Sequence, residues 1–170
     1  MGVDVVCLGE LFVDMFPAEL GQGLADVSAF YPKPGGAPAN VAVAVARLGT
    51  SSAFIGKVGQ DAFGLQLARV LAQEGVETRG LCFDSYARTT LAFIAQPDEN
   101  TSEFVFYRNP GADMMLRPEE LDRELLRRAQ VFHLGSISLI AEPAKSATLE
   151  ALAIARKAGA LISFDVNYRP

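Results

Sequence analysis

The sequence predicts an α/β protein whose core is a doubly wound, mostly parallel sheet, with a small β-sheet lid added to it. Apolar runs typical of buried strands alternate along the chain with amphipathic helical segments, as in repeated βαβ units. Two stretches interrupt this alternation with period-2 patterns of their own. The 170 residues, half of them apolar, suffice for one such domain without stabilisation by disulfides or metals.

The alternating segments give four strands and four helices. Short apolar runs predict central strands at residues 3–8, 53–58, 131–134 and 161–166. Apolar residues with helical spacing predict helices at residues 39–48, 62–74, 119–129 and 142–158. Pro118 stands at a helix-start position, and Gly49, Gly75 and Gly159 follow three of the helices as C-terminal stops.

The two interrupting stretches predict the lid, at residues 11–34 and 89–108. The first is too long for an ordinary strand-to-helix loop, and it holds alternating pieces at 11–16 and 27–31 around the turn 21–23. The second has the pattern of a β-hairpin, with strands at 90–95 and 103–107 around a polar turn at 96–100. We expect these pieces to cover a ligand at the carboxyl ends of the parallel strands. An edge extension or a dimer contact is the alternative.

Composition excludes several classes of partner. With 15 basic and 20 acidic side chains the net charge is −5, which does not favour nucleic acid or an anionic membrane. No apolar stretch is long enough to span a bilayer, and Asp4 stands where a secretory signal would carry Lys or Arg. A cytoplasmic protein is predicted. Cys7 and Cys82 each lie in an apolar stretch, which predicts free thiols rather than a disulfide.

Missing motifs narrow the chemistry further. Neither a Walker phosphate-binding loop nor a Gly-x-Gly-x-x-Gly dinucleotide fingerprint is present. His133, the one histidine, lies inside a predicted strand, so we expect a hydrogen-bonded core residue rather than a catalytic base. A metal site of His or Cys ligands and a Ser-His-Asp hydrolase are therefore both disfavoured.

Polar residues at strand ends and at the first helix start form the candidate site. Gly35 and Gly36 precede a helix, where exposed backbone amides and the helix N-terminus can approach a ligand. Asn40 offers an amide to a hydroxyl, or it caps the helix within an ordinary tight turn. Asp14 is a carboxylate among apolar residues, suited to accept from the vicinal hydroxyls of a sugar, unless it is an ordinary surface acid.

A second group of polar residues follows the last strand. Asp165, Asn167 and Arg169 alternate, so on an extended segment their side chains would share one face. Arg108, at the exit of the predicted hairpin, adds another guanidinium, a group whose fork suits phosphate oxygens. Such a set fits a polyol phosphate, and surface salt bridges are the alternative.

Together these motifs resemble the ribokinase-like (PfkB) family of carbohydrate kinases. The segment Gly35-Gly36-Ala37-Pro38-Ala39-Asn40, with Gly49 and Gly59 after it, is similar to the first signature of that family. The resemblance extends over the whole chain through residues 9–14, 58–64, 107–113 and 164–170. Within the family the motifs are most similar to those of fructokinases, and next to those of 2-keto-3-deoxygluconate kinases.

The resemblance implies ATP-dependent phosphorylation of a small sugar, most of all D-fructose, with Mg²⁺ carried by ATP. It implies that Asp14, Gly35, Gly36 and Asn40 hold sugar hydroxyls. Arg108 would reach toward the sugar and the transferred phosphoryl group, and Asn167 and Arg169 would lie on the side of the nucleotide phosphates. This division suits phosphoryl transfer, which needs positioning and charge stabilisation more than covalent chemistry.

The resemblance also implies that no catalytic residue lies in residues 1–170. Family members are about twice as long, and their second signature, Asp-Thr-x-Gly-Ala-Gly-Asp, carries the anion hole and the catalytic aspartate. The stretch Pro110-Gly111-Ala112-Asp113 has one glycine too few to be that signature. We therefore expect an N-terminal half that is inactive alone and that associates through an uncovered sheet edge.

Two other classes of function remain open from the sequence. One is a non-catalytic sugar-binding or regulatory homologue of the kinases, or a scaffold that forms a homodimer through the lid. The other is an NAD-binding domain, which the absent glycine-rich fingerprint disfavours.

Overall fold

The computed structural model describes residues 3–98 and 101–168, and these residues form nine strands and four α-helices. The strands are β1 (Val5–Leu8), β2 (Phe12–Pro17), β3 (Phe30–Gly35), β4 (Ser52–Gly59), β5 (Glu77–Asp84), β6 (Leu91–Ala95), β7 (Glu103–Tyr107), β8 (Val131–Gly135) and β9 (Leu161–Asp165). The helices are α1 (Ala37–Arg47), α2 (Ala62–Gln73), α3 (Arg123–Arg128) and α4 (Ala144–Lys157). Short 3₁₀ turns lie at Ala112–Met115, Pro118–Glu120 and Ile137–Leu139.

The main sheet is parallel, with the strand order β5-β4-β1-β8-β9. The four strands predicted from apolar runs are all present, with ends within two residues of the prediction. Three of the four predicted helices agree equally well, and the glycines that follow them have positive φ, as a helix stop requires. The predicted doubly wound α/β fold is therefore confirmed.

Two parts of the core differ from the prediction. The sequence analysis has no strand at β5, because this edge strand carries charged residues and Gly80 instead of a continuous apolar run. The predicted helix at 119–129 is instead a 3₁₀ turn followed by α3. Asp122 divides them, because its carboxylate accepts hydrogen bonds from the backbone N–H groups of Glu124 and Leu125 and so caps α3.

The lid is a four-stranded sheet with the order β3-β2-β6-β7. Strands β2 and β6 are parallel, and the outer pairs β2–β3 and β6–β7 are antiparallel. The hairpin strands are as predicted, although part of the turn at 96–100 lies outside the described residues. The piece predicted at 27–31 overlaps β3 only at Phe30 and Tyr31. Strand β3 continues instead through Pro32 and Pro34, and prolines are tolerated there because β3 is an edge strand.

Apolar side chains cover both faces of the main sheet. Val6 and Leu8 point to the face covered by α3 and α4, while Cys7 between them points to the face of α1 and α2. Phe132 and Phe54 are the largest fully buried side chains on the two faces. This packing holds the carboxyl ends of β1 and β8 in fixed positions beneath the lid. Within the described residues, no helix is long and apolar enough to cross a membrane.

The two cysteines and His133 lie in or beside the core and have no catalytic arrangement around them among the described residues. Cys7 and Cys82 are free thiols, as predicted, and burial raises the pKa of Cys7 to about 12, which makes it unreactive. His133 is buried in β8 as predicted, with Nδ1 3.0 Å from Ser163 Oγ. Its Nε2 has no partner among the described residues, so the expectation of a fully hydrogen-bonded ring is only half met. Burial lowers the pKa of His133, which favours the neutral ring.

Candidate functional site

The site begins at the glycine turn between β3 and α1. Gly36 has φ +109°, and a Cβ there would lie 2.3 Å from the carbonyl oxygen of Glu10, so only glycine fits. The helix begins at Ala37, directly after the glycines, as the sequence predicts. Asn40 is not the helix cap, because Gly36 occupies that position. Asn40 lies in the first turn, with its side chain exposed and its N–H bonded to the Gly36 carbonyl.

Asp14 lies in β2, beside this turn. A Cβ at Gly35 would be 2.2 Å from Asp14 Oδ2, so the absence of a side chain at Gly35 makes room for the carboxylate. Asp14 is half-buried, and its carboxylate has no hydrogen-bond partner among the described residues. Burial raises the pKa of Asp14. A carboxylate in this position can accept hydrogen bonds from the hydroxyls of a ligand.

Aromatic residues share the lid face that carries Asp14. Strand register places Phe12, two residues before Asp14, and Phe106 of β7 on this face. Their rings meet edge to face, with centroids 6.0 Å apart. Both border a cavity of about 350 Å³ whose other lining residues are Arg108, Ile137 and Ile140. This volume and mixed lining are typical of a small-molecule site.

Glu10 supports the site from below. It is only 2% exposed, and Oε1 accepts the backbone N–H of Ala37 at 3.0 Å. The other oxygen, Oε2, has no partner among the described residues. Burial raises the pKa of Glu10, the backbone hydrogen bond from Ala37 lowers it, and the nearby charges of Asp113 and Arg108 act in opposite directions. Glu10 is not among the predicted site residues. Its position two residues after the end of β1 is the sequence feature that could have indicated it.

Arg108 leaves the lid hairpin in a fixed ion pair. Its Nε and Nη2 both donate to Asp113 Oδ2, at 2.8 and 2.6 Å. Asp113 is buried in the 3₁₀ turn, and its Oδ1 accepts from the hydroxyl of Thr90 at 2.6 Å. Arg108 also borders a second cavity of about 720 Å³, on which Arg88 and Arg117 lie as well. Sequence analysis selects Arg108 but misses the residues that hold it.

The end of β9 differs from its predicted form. The strand ends at Asp165, whose Oδ1 accepts the N–H of Asn167 at 2.7 Å. Asn167 has φ +46°, which is not extended, so the expectation that Asp165, Asn167 and Arg169 alternate along one face is wrong for the first two. Arg169 lies outside the described residues. The serine hydroxyl of Ser136 donates to the carbonyl of Val166 and ties this end to the loop after β8.

The structure thus assembles one compact group from the predicted residues. Asp14, Gly35, Gly36 and Asn40 surround the glycine turn, and Arg108 shares a cavity with Phe12 of the Asp14 strand. Asn167 follows β9, two strands away from β1, which is about 10 Å at the usual strand spacing. In the part of the chain that the structure describes, no three His, Cys, Asp or Glu side chains are grouped to hold a metal ion.

A doubly wound sheet, a glycine turn at a helix start and a β lid bearing a carboxylate are shared with solved structures of ribokinase-like kinases, so the chain has the ribokinase-like fold. A profile of the pfkB family carbohydrate kinases matches residues 3–170. The chain belongs to that family.

Several relatives carry the name fructokinase. Fructokinase-1 of Oryza sativa subsp. japonica is 55% identical over 165 residues, which are 97% of this chain and 51% of the rice protein. Probable fructokinase-6, chloroplastic, of Arabidopsis thaliana is 54% identical over 165 residues, again 97% of this chain but 43% of that protein. The chain therefore spans about half the length of these curated relatives.

Solved structures of the family have the same fold. A fructokinase with bound ATP from Xylella fastidiosa is 40% identical and has a TM-score of 0.89, with 100% of this chain and 53% of that chain covered. A putative ribokinase II from E. coli, in complex with ATP and Mg²⁺, is 31% identical with a TM-score of 0.90, and the match covers 98% of this chain and 54% of that chain.

Proposed function

We propose that the full-length gene product transfers a phosphoryl group from MgATP to a hydroxyl of a small sugar, foremost the terminal hydroxyl of D-fructose. The observation that carries this proposal is the 52–55% identity to plant proteins named fructokinase over nearly the whole chain. The site supports it, since a carboxylate, an amide, a guanidinium and two aromatic rings suit a polyhydroxy ligand.

In this proposal the sugar lies between the glycine turn and the lid. Asp14 and Asn40 bind hydroxyls, and Gly35 and Gly36 allow the ligand to approach the backbone. Arg108 reaches toward the sugar from the cavity beside Phe12 and stabilises the charge of the transferred phosphoryl group. Asn167 and Arg169 belong to the side of the nucleotide phosphates.

Residues 1–170 supply one part of a ribokinase-like domain in this proposal, with lid segments at 11–34 and 89–108. The catalytic base and the main anion hole come from a further C-terminal part, as the family resemblance implies. Mg²⁺ enters with ATP as part of the substrate. The chain's own contribution is to position the sugar and to exclude water under the lid, and positioning is one of the two main requirements of phosphoryl transfer, beside charge stabilisation.

We also infer a cytoplasmic location and a homodimer formed through the lid. The cytoplasmic location rests on the composition. One relative bears the word chloroplastic in its name, so fractionation of the source cells is the test.

The homodimer rests on aromatic side chains exposed on the lid, among them Tyr31, Phe104 and Tyr107. Light scattering of the full-length gene product is the test.

The activity is tested by measuring ADP release from the full-length gene product with fructose, ribose, 2-keto-3-deoxygluconate and nucleosides. We expect the highest kcat/KM with fructose. Asp14→Asn should raise the KM for fructose about 10- to 100-fold, the value of a hydrogen bond to a charged group, and leave the KM for ATP unchanged. Asp26→Asn, on an exposed lid loop, is the matched control. Sugar binding without any turnover would contradict the proposal and favour a non-catalytic sugar-binding homologue.

A further inference from the structure

The ion pair of Arg108 and Asp113 is built into the fold rather than formed on the surface. Both oxygens of Asp113 are engaged, Oδ2 by two nitrogens of Arg108 and Oδ1 by the hydroxyl of Thr90. Thr90 directly precedes β6, Arg108 directly follows β7, and Asp113 lies in the 3₁₀ turn that comes next. The Asp113 side chain is 1% exposed and that of Arg108 is 16% exposed.

Gly111 leaves the space that this network occupies. A Cβ at Gly111 would lie 1.8 Å from Thr90 Oγ1, 2.7 Å from Asp113 Oδ1 and 2.9 Å from Arg108 Cγ. Any side chain at that position would push the three groups apart. The backbone there is also fixed, because Ala112 N–H donates to the carbonyl of Arg88 at 2.8 Å.

The network determines which donors of Arg108 remain for a ligand. A guanidinium has five N–H groups, and Asp113 takes one from Nε and one from Nη2. The remaining donors belong to the side chain that borders the cavity of Phe12, Phe106 and Ile137. Two donors of Arg108 converge on Asp113 Oδ2, which orients the planar group, so the remaining donors are positioned before any ligand binds.

The network also balances the positive charge of Arg108 with a carboxylate at the edge of that cavity. Asp113 balances it, Asp14 adds a carboxylate beside the glycine turn, and the ammonium of Lys33, across from Asp14 in β3, lies over the ring of Phe16. Among the described residues that line this cavity, Arg108 is the one cation and Asp113 is paired with it, so a substrate carboxylate would meet no unpaired cation there. Hydroxyls, in contrast, can donate to Asp14 and accept from Arg108.

We propose that Asp113 is a positioning residue for Arg108, and that the Arg108–Asp113 pair makes the site select an uncharged sugar over a sugar acid. This inference rests on the proposed function, because it assumes that the sugar occupies the cavity beside Phe12. It separates fructose from 2-keto-3-deoxygluconate, the two substrates that the sequence leaves open.

The test is calorimetric binding of D-fructose and D-gluconate to the full-length gene product and its Asp113→Asn variant. We expect fructose affinity to fall about tenfold and gluconate affinity to rise about tenfold, since the variant frees a cation in a partly buried site. Glu74→Gln is the matched control. It breaks the bidentate but exposed pair with Arg47, and both affinities should stay unchanged.

A second variant keeps the test decisive if Asp113→Asn does not fold. Thr90→Val removes only the hydroxyl bonded to Asp113 Oδ1, and it should raise the gluconate-to-fructose affinity ratio about threefold, in line with a weakened hydrogen bond. Arg108→Lys should lose fructose affinity without gaining gluconate affinity, because Asp113 still balances the charge. An unchanged affinity ratio in both Asp113→Asn and Thr90→Val overturns the inference, whether or not the wild type phosphorylates fructose. Absence of that phosphorylation refutes the proposed function instead.

Discussion

Replacing Gly35 by alanine tests the position of Asp14 without altering its chemistry. The backbone at Gly35 does not have positive φ, so alanine is compatible with it. The new methyl group would lie 2.2 Å from Asp14 Oδ2 and 2.8 Å from Cγ, whereas ordinary van der Waals contact begins at 3.4 Å. The carboxylate must therefore move by about 1.2 Å, the difference between contact and clash.

This displacement should affect sugar binding far more than stability. Misplacing a binding group by about 1 Å costs up to about 100-fold in kcat/KM, or about 2.7 kcal/mol of transition-state stabilisation. The free energy of unfolding should change by only about 1 kcal/mol, because a strained Asp14 rotamer is offset by the reduced freedom of the unfolded chain.

The assay compares Gly35→Ala with Gly23→Ala in the full-length gene product. Gly23 is also a lid glycine without positive φ, and a Cβ there would approach nothing closer than 3.6 Å. Steady-state kinetics with fructose and ATP, together with urea unfolding, give both quantities. If the two variants have the same kcat/KM within twofold, Asp14 does not hold the sugar, and the sugar binds elsewhere.

Three further predictions concern the core, pH and the isolated segment. Leu126→Ala should lower the free energy of unfolding by about 2–5 kcal/mol because Leu126 is fully buried, and Leu20→Ala, at an exposed turn, should change it by less than about 0.5 kcal/mol; urea unfolding measures both. Burial lowers the pKa of His133, so the unfolded chain binds its proton first and stability falls as pH drops below about 6.5. His133→Gln should show a shallower fall between pH 7 and 5 in chemical unfolding, and an equal slope would contradict this. Residues 1–170 expressed alone should release no sugar-dependent ADP, and light scattering should show association through the exposed apolar residues of β9, such as Phe164; a monomeric, active fragment would refute both statements.

The main sheet could be predicted because its central strands are buried on both faces. Such strands are mostly apolar: β1 is a continuous apolar run, and β4 and β8 each carry one ionisable residue, Lys57 and His133, among apolar neighbours. The edge strand β5 packs mainly on one side, so charged residues interrupt its pattern and no run marks it. In the same way, the two prolines of β3 indicate a loop locally, although an edge strand accepts them.

The site could be predicted only where a residue's position along the chain implies its place in space. Asp14 follows the first strand closely, and Gly35 and Gly36 precede a helix, so topology alone brings them to one edge of the sheet. Thr90 and Asp113 could not be predicted as part of the site, because their role depends on a hydrogen bond between residues 23 positions apart, which no local pattern encodes. The positive φ of Asn167 is likewise set by the Asp165 turn and not by an alternating sequence.

The connections between core and lid carry the site, and this explains the residues that sequence analysis misses. Glu10 lies between β1 of the core and β2 of the lid, and it bonds to Ala37 at the start of α1. The glycine turn joins lid strand β3 to the same helix. Asp14 therefore belongs to the lid and Asn40 to the core, and Glu10 ties the loop between β1 and β2 to the start of α1. A lid that moved relative to the core would change the spacing of Asp14 and Asn40, so a sugar bound by both residues, as we propose, would favour one lid position over all others.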